Sequence, residues 1–139
     1  MPVAIEALEI MKAIIVEPGR TDAGALQIGD AAIPAPAAHE ILIEVKAAGV
    51  NRPDISQREG NYPPPPGASP ILGLEVAGVI AEVGAGVNSS DWVKGDRVCA
   101  LLPGGGYAQF ATVDASHVLP IPAPLSFEEA AALPETVFT

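Results

Sequence analysis

At 139 residues the chain has room for one ordinary domain, and folding at this size removes about two-thirds of the unfolded surface from water. With 49% hydrophobic but only 4% aromatic residues, the core must be aliphatic; 14 Gly and 15 Pro disfavour a helix bundle and favour short strands joined by turns. Seven basic residues against 17 acidic ones leave a net charge of −10, which argues against nucleic acid and anionic membrane surfaces as partners. Cys99 stands alone, so neither an internal disulfide nor a thiolate-rich metal site is expected. The opening MPVAIEALEIMKAIIV lacks a basic leader and a small-residue cleavage site. No uncharged apolar run approaches the roughly 18 residues of a membrane span. A soluble cytoplasmic protein is the expectation.

Met11 to Glu17 is a β-branched run closed by Pro18-Gly19, which predicts a first strand and turn. Leu26 and Ile28 alternate with Gln27 and Gly29, predicting a half-exposed second strand. Ile33 to Pro36 is an extended connector. Glu40 to Val50 carries the clearest period-2 signal, with Ile41, Ile43 and Val45 set against Leu42, Glu44 and Lys46. Arg52 to Gly60 predicts a short helix with Asn51 as N-cap, Pro53 in the first turn and Gly60 as the stop. NYPPPPGASP (residues 61–70) is loop, because proline fixes φ and offers no backbone donor. Ile71 to Val83 predicts a buried strand broken at Gly73 and Gly78, with Gly84-Ala85-Gly86 as a hairpin turn. Val98 to Leu102 and Tyr107 to Val113 predict strands on either side of Pro103-Gly104-Gly105-Gly106. Val118 to Leu125 is extended, and Ser126-Phe127-Glu128-Glu129 is a cap opening a helix through Ala130, Ala131 and Ala132. These elements sum to a mostly β domain, a partly open antiparallel barrel with one or two short helices.

Few residues suggest chemistry by type and spacing alone. Asn51 and Asp54 fit an N-cap with an acidic residue three positions on; the same pair would also set a side chain beside a pocket. Tyr62 before four prolines reads as a loop anchor or as a hydrogen-bond donor. Polyproline recognition of the same run by a partner domain has weaker support, because no basic residue closely follows it. Glu75, inside an apolar strand, must be paired or protonated. Cys99 reads as a small buried hydrophobe. Neither Gly84-Ala85-Gly86 nor Gly104-Gly105-Gly106 has the helix and partner residues of a phosphate-binding loop.

Three stretches, GVNRPDISQREGNYPPPPGAS, ILGLEVAGVIAEVGAGV and KGDRVCALLPGGGYAQF, together resemble the N-terminal GroES-like catalytic domain of the medium-chain dehydrogenase/reductase superfamily. Within it the sequence is most similar to the zinc-free, zeta-crystallin-like NADPH:quinone oxidoreductases, over essentially Met11 to Thr139. Zinc members of the superfamily carry Cys-x-x-Asp and Gly-His-Glu motifs. Here these read Asn51-Arg52-Pro53-Asp54 and Gly73-Leu74-Glu75, so an amide and an isobutyl group replace the thiolate and imidazole. Cys99 stands alone where the structural zinc lobe's cysteines would begin. No zinc is expected.

The resemblance implies metal-free hydride transfer from NADPH to a quinone or activated enone. It implies Asn51 and Tyr62 as catalytic residues, Asp54 and Ser56 in the substrate pocket, and Asn51, Glu75 and Thr136 beside the cofactor. Ser56 departs from relatives that have a second tyrosine there. The implied organisation is an extension over residues 1–10, the GroES-like catalytic domain over 11–125, and over 126–139 the start of a helix leading to a Rossmann domain beyond the sequence. That missing domain would carry most of the NADPH affinity and the homodimer contact, so the 139 residues are expected to be inactive alone. Two alternatives stay open: a stand-alone GroES-like binding or assembly module, and an enone or aldehyde reductase of the same superfamily. A self-sufficient module would bury Phe127, Leu133 and Phe138 by itself.

Overall fold

Aliphatic runs punctuated by Gly and Pro fold, among the described residues, into seven strands and two short helices. The computed structural model describes residues 9–135. In chain order the elements are β1 (Ile10–Val16), β2 (Leu26–Ala32), β3 (Glu40–Ala48), α1 (Arg52–Arg58), β4 (Glu75–Val83), β5 (Arg97–Leu101), β6 (Phe110–Asp114), β7 (Val118–Pro120) and α2 (Phe127–Ala131). β1 and β2 form an antiparallel ribbon with Ile14 opposite Ile28. The other strands form one antiparallel sheet in the order β6-β3-β4-β5-β7. The ribbon is tied to that sheet through residues 107–109. There Ile14 N–H donates to the Tyr107 carbonyl (2.8 Å), Gln109 N–H to the Lys12 carbonyl (3.0 Å) and Val45 N–H to the Gln109 carbonyl (2.8 Å). The result is the partly open antiparallel barrel that the strand pattern predicts.

The two faces of the sheet bury different clusters. Ile41, Ile43, Val76, Ile80 and Val98 fill the barrel interior. Each such side chain contributes about 1.5–3 kcal/mol by leaving water. Ala77 and Cys99 point the other way, against Ala130 and Ala131 of α2 and against Ile121. A bulge explains how β3 serves both. Its register with β4 shifts between Val45 and Ala47, so Val45 packs with the interior cluster and Ala47 with the α2 side. α2 opens on a capping box: Glu129 N–H donates to Ser126 Oγ (3.0 Å) and Ser126 N–H to Glu129 Oε1 (2.8 Å). Phe127 is half-buried, with the Arg97 guanidinium 4.8 Å from its ring centre. Leu133 is half-buried too, and Phe138 lies outside the described residues.

Four local expectations need correction. β1 begins at Ile10, one residue before the expected boundary, while residues 1–8 of the expected extension lie outside the described chain. β4 begins at Glu75 rather than Ile71, because Gly73 sits at φ +111°, which ends the extended run before it. Pro103 to Gly106 does not fold β5 back onto β6. Instead Gly105, Gly106 and Tyr107 N–H groups donate to the carbonyls of Ile71 (2.7 Å), Gly73 (3.1 Å) and Leu72 (2.9 Å). A Cβ on Gly73 would lie 2.7 Å from Gly106 Cα, so this approach requires glycine. The last of the expected strands consequently starts at Phe110, not Tyr107, and pairs with β3. Finally, Gly84-Ala85-Gly86 is not a hairpin turn: Gly84 and Gly86 N–H groups donate to the Glu40 and Ala38 carbonyls, both at 2.8 Å. The chain reaches β5 only after residues 84–96. Among the described residues no helix is long and apolar enough to cross a membrane.

Candidate functional site

The β3–α1 junction gathers most of the residues singled out by sequence. β3 ends at Ala48, and Gly49 N–H then donates to the Glu75 carbonyl (3.1 Å), holding the loop against the start of β4. Asn51 follows in an extended conformation as N-cap of α1. Its backbone N–H donates to Asp54 Oδ2 at 2.9 Å, the acidic half of a capping box. Pro53 costs nothing here, since first-turn N–H groups have no helical partner. The helix ends at Arg58 with Glu59 as C-cap, and Gly60 follows at a φ of +86°, which no β-carbon residue adopts easily.

Asp54 is only 3% exposed, and a second donor accounts for its burial. The Tyr107 hydroxyl donates to the same Oδ2 at 2.5 Å. Burial, the hydrogen bond to Asp54 and the carboxylate charge together push the Tyr107 phenol well above the ordinary tyrosine range. Two buried atoms of this group have no hydrogen-bond partner among the described residues: Asn51 Nδ2 and Asp54 Oδ1. One is a donor and the other an acceptor.

Glu75, 2% exposed, lies on the other side of the loop. Its Oε2 accepts the Glu135 N–H at 2.6 Å, tying β4 to the segment after α2. Its side chain fills the space beside Gly49, where an added Cβ would stand 2.0 Å from Oε1. The carboxyl also adds to the burial that raises the Cys99 thiol pKa. Asn51, Asp54 and Glu75 therefore share one loop and its two supports. Ser56 lies further along α1, half-buried, its carbonyl accepting the Asn61 N–H at 2.8 Å. Tyr62 stands apart on the proline-rich loop with 45% of its surface exposed. Thr136 lies outside the described residues.

The two positions that carry thiolate and imidazole in zinc relatives hold the Asn51 amide and the buried Leu74 side chain. That donor set does not fit zinc. Among the described residues no three His, Cys, Asp or Glu side chains come together. Tyr107 is the site residue that sequence reasoning missed. It sits 53 positions from Asp54, and its only local signal is a place directly after three glycines.

An antiparallel barrel with a capped helix between β3 and β4, and a glycine-rich segment hydrogen-bonded to residues 71–73, defines a class. The family described as the alcohol dehydrogenase GroES-like domain matches residues 37–123, and the chain belongs to it. Among particular relatives, the chain is 40% identical over 133 residues to the quinone oxidoreductase of Rattus norvegicus, covering 94% of this chain and 40% of that protein. It is 35% identical over 137 residues to the trans-enoyl reductase tazE of Aspergillus terreus, covering 91% of this chain and 44% of that protein. The solved quinone oxidoreductase of Coxiella burnetii superposes with a TM-score of 0.80 at 26% identity, over 94% of this chain and 43% of that one. The chain spans about two-fifths of the length of the relatives it matches.

Proposed function

We propose that these residues form the substrate side of an NADPH-dependent quinone or enone reductase that works without zinc. The observation that carries this reading is the donor set of the β3–α1 loop. Asn51 offers an amide donor, Nδ2, without a partner among the described residues, where zinc relatives offer a thiolate. An amide cannot remove an alcohol's proton or polarise its oxygen as a metal does, so the substrate must already be electrophilic. Quinones and activated enones meet that condition. The names of the rat and Aspergillus relatives favour the same two classes.

A nicotinamide dinucleotide, when bound, would supply the hydride. Asn51 donates a hydrogen bond to the carbonyl oxygen on which negative charge gathers when a carbon of the conjugated system is reduced; one such donor is worth about 3 kcal/mol. A solvent proton then completes the reduced product. Asp54 holds the Asn51 backbone, Tyr62 and Ser56 border the substrate, and Glu75 flanks the nicotinamide. Most NADPH affinity lies outside these 139 residues, so the chain alone binds it too weakly for turnover.

The test is a fluorescence titration of the purified chain with NADPH, together with NADPH oxidation at 340 nm in the presence of benzoquinone or an alkenal. No saturation at micromolar NADPH and no turnover of either substrate is expected. A low-micromolar dissociation constant would overturn the division of labour.

A further inference from the structure

Tyr107 makes three attachments to three separate parts of the chain. Its N–H donates to the Leu72 carbonyl (2.9 Å), three residues before Glu75, and its carbonyl accepts the Ile14 N–H (2.8 Å) of β1. Its hydroxyl reaches across to α1 and Asp54 Oδ2 at 2.5 Å. An O–H···O bond this short is of the charge-assisted kind, strong and directional. Because Oδ2 also accepts the Asn51 N–H at 2.9 Å, one oxygen joins the tyrosine to the backbone of the helix cap.

The unpartnered atoms supply a second observation. Buried polar atoms are nearly always paired, and exceptions persist where surrounding contacts fix them. Among the described residues Asn51 Nδ2 and Asp54 Oδ1 are such exceptions, and Oδ1 belongs to the carboxylate that Tyr107 holds. As held here, Nδ2 is sealed from solvent, so reaching a ligand means turning the Asn51 side chain about a fixed backbone. Among the described residues Nδ2 itself has no hydrogen bond to lose, so the turn gives up only the other half of the capping box, the Asp54 N–H to the Asn51 side chain.

We propose that Tyr107 is a positioning residue which, through Asp54, fixes the Asn51 backbone as the pivot about which the Asn51 amide turns to meet a substrate carbonyl. The inference rests on the role given to Asn51 above. Tyr107 touches no reacting atom; it decides where the donor stands.

The test is amide exchange and side-chain coupling by NMR on the 139-residue chain and on Tyr107→Phe, with 1,4-naphthoquinone as the binding probe. Removing the hydroxyl is expected to raise exchange at the Asn51 N–H about tenfold and to average the Asn51 χ1 couplings, while Ile43 and Val76 keep their protection. Naphthoquinone affinity should fall about fivefold or more. An unchanged Asn51, or equal loosening of Asn51, Ile43 and Val76, would overturn the proposal, the latter because it marks a merely structural role. If Tyr107→Phe does not fold, Asp54→Asn, which keeps an acceptor oxygen but not the charge, is read by the same two signals. Should the parent chain bind no naphthoquinone, the functional reading fails, and the exchange at Asn51 still decides the tie.

Discussion

Replacing Gly49 by alanine would place a methyl carbon 2.0 Å from Glu75 Oε1 and 2.6 Å from its Cγ and Cδ. The backbone of Gly49 is not left-handed, so alanine itself is tolerated there and the collision is the whole difficulty. Glu75 is buried, with its carbonyl held by the Gly49 N–H, and must swing its carboxyl away from the Glu135 N–H it now accepts at 2.6 Å. A lost hydrogen bond of this kind costs about 1–3 kcal/mol, and an off-rotamer side chain about 0.5–1.5 more. Alanine recovers roughly 0.4–1 kcal/mol by stiffening the unfolded chain. The net is about 2 kcal/mol of lost stability, within a span of roughly 0.5–4. Unfolding entropy near 2.1 cal/mol/K per residue sums to about 0.3 kcal/mol/K for this chain, so the melting temperature should fall by roughly 7 °C. Thermal unfolding followed by circular dichroism measures it. The informative control is the same substitution in a Glu75→Ala background, where the methyl group has room and the drop should nearly vanish. Equal drops in both backgrounds would refute the collision as the cause.

Three further outcomes follow from the same structure. Tyr107 should remain a phenol through the range where an ordinary tyrosine ionises, near pH 10. A 295 nm titration of the parent minus that of Tyr107→Phe shows it. Since the folded state holds this proton more tightly than the unfolded state, the stability it supplies is complete below the unfolded value and lost as pH rises toward the folded one. The parent should therefore lose more stability than Tyr107→Phe above pH 10. Cys99, buried under α2 with its thiol pKa raised, should react with a disulfide reagent at pH 8 only at the rate of global unfolding. Fast labelling in native buffer would show that α2 opens locally. Ser126→Ala removes the oxygen that accepts the Glu129 N–H and should cost about 1 kcal/mol in chemical denaturation, with the denaturant slope unchanged.

Much of this architecture is written in local pattern. Ile41, Ile43 and Val45 announce β3 because side chains alternate with period 2, and Asn51, Pro53 and Gly60 bracket α1 because each meets a stereochemical demand of a helix end. What local pattern misses is pairing at a distance. The bulge that sends Ala47 to the opposite face from Val45 leaves no compositional trace. Gly84-Ala85-Gly86 looks like a hairpin turn, yet its N–H groups find residues 38 and 40, more than forty positions upstream. Gly104 to Gly106 looks like a turn as well, and instead packs against residues 69–73, with the Tyr107 hydroxyl reaching Asp54. The candidate site divides the same way. Asn51, Asp54 and Glu75 are legible as motif positions, and the structure brings them to one loop. Tyr107 is not, because its partner is 53 residues away and only the fold makes them neighbours.

The most direct test of the substrate-side reading is a chemical-shift map of 1,4-naphthoquinone binding to the isolated chain. The account predicts that the perturbed resonances centre on Asn51, its side-chain amide above all, with Asp54, Ser56, Tyr62 and Glu75 around it. Perturbations confined to the cleft lined by Met11, Ser69, Ile71, Gly104 and Phe110, or none at millimolar probe, would contradict it.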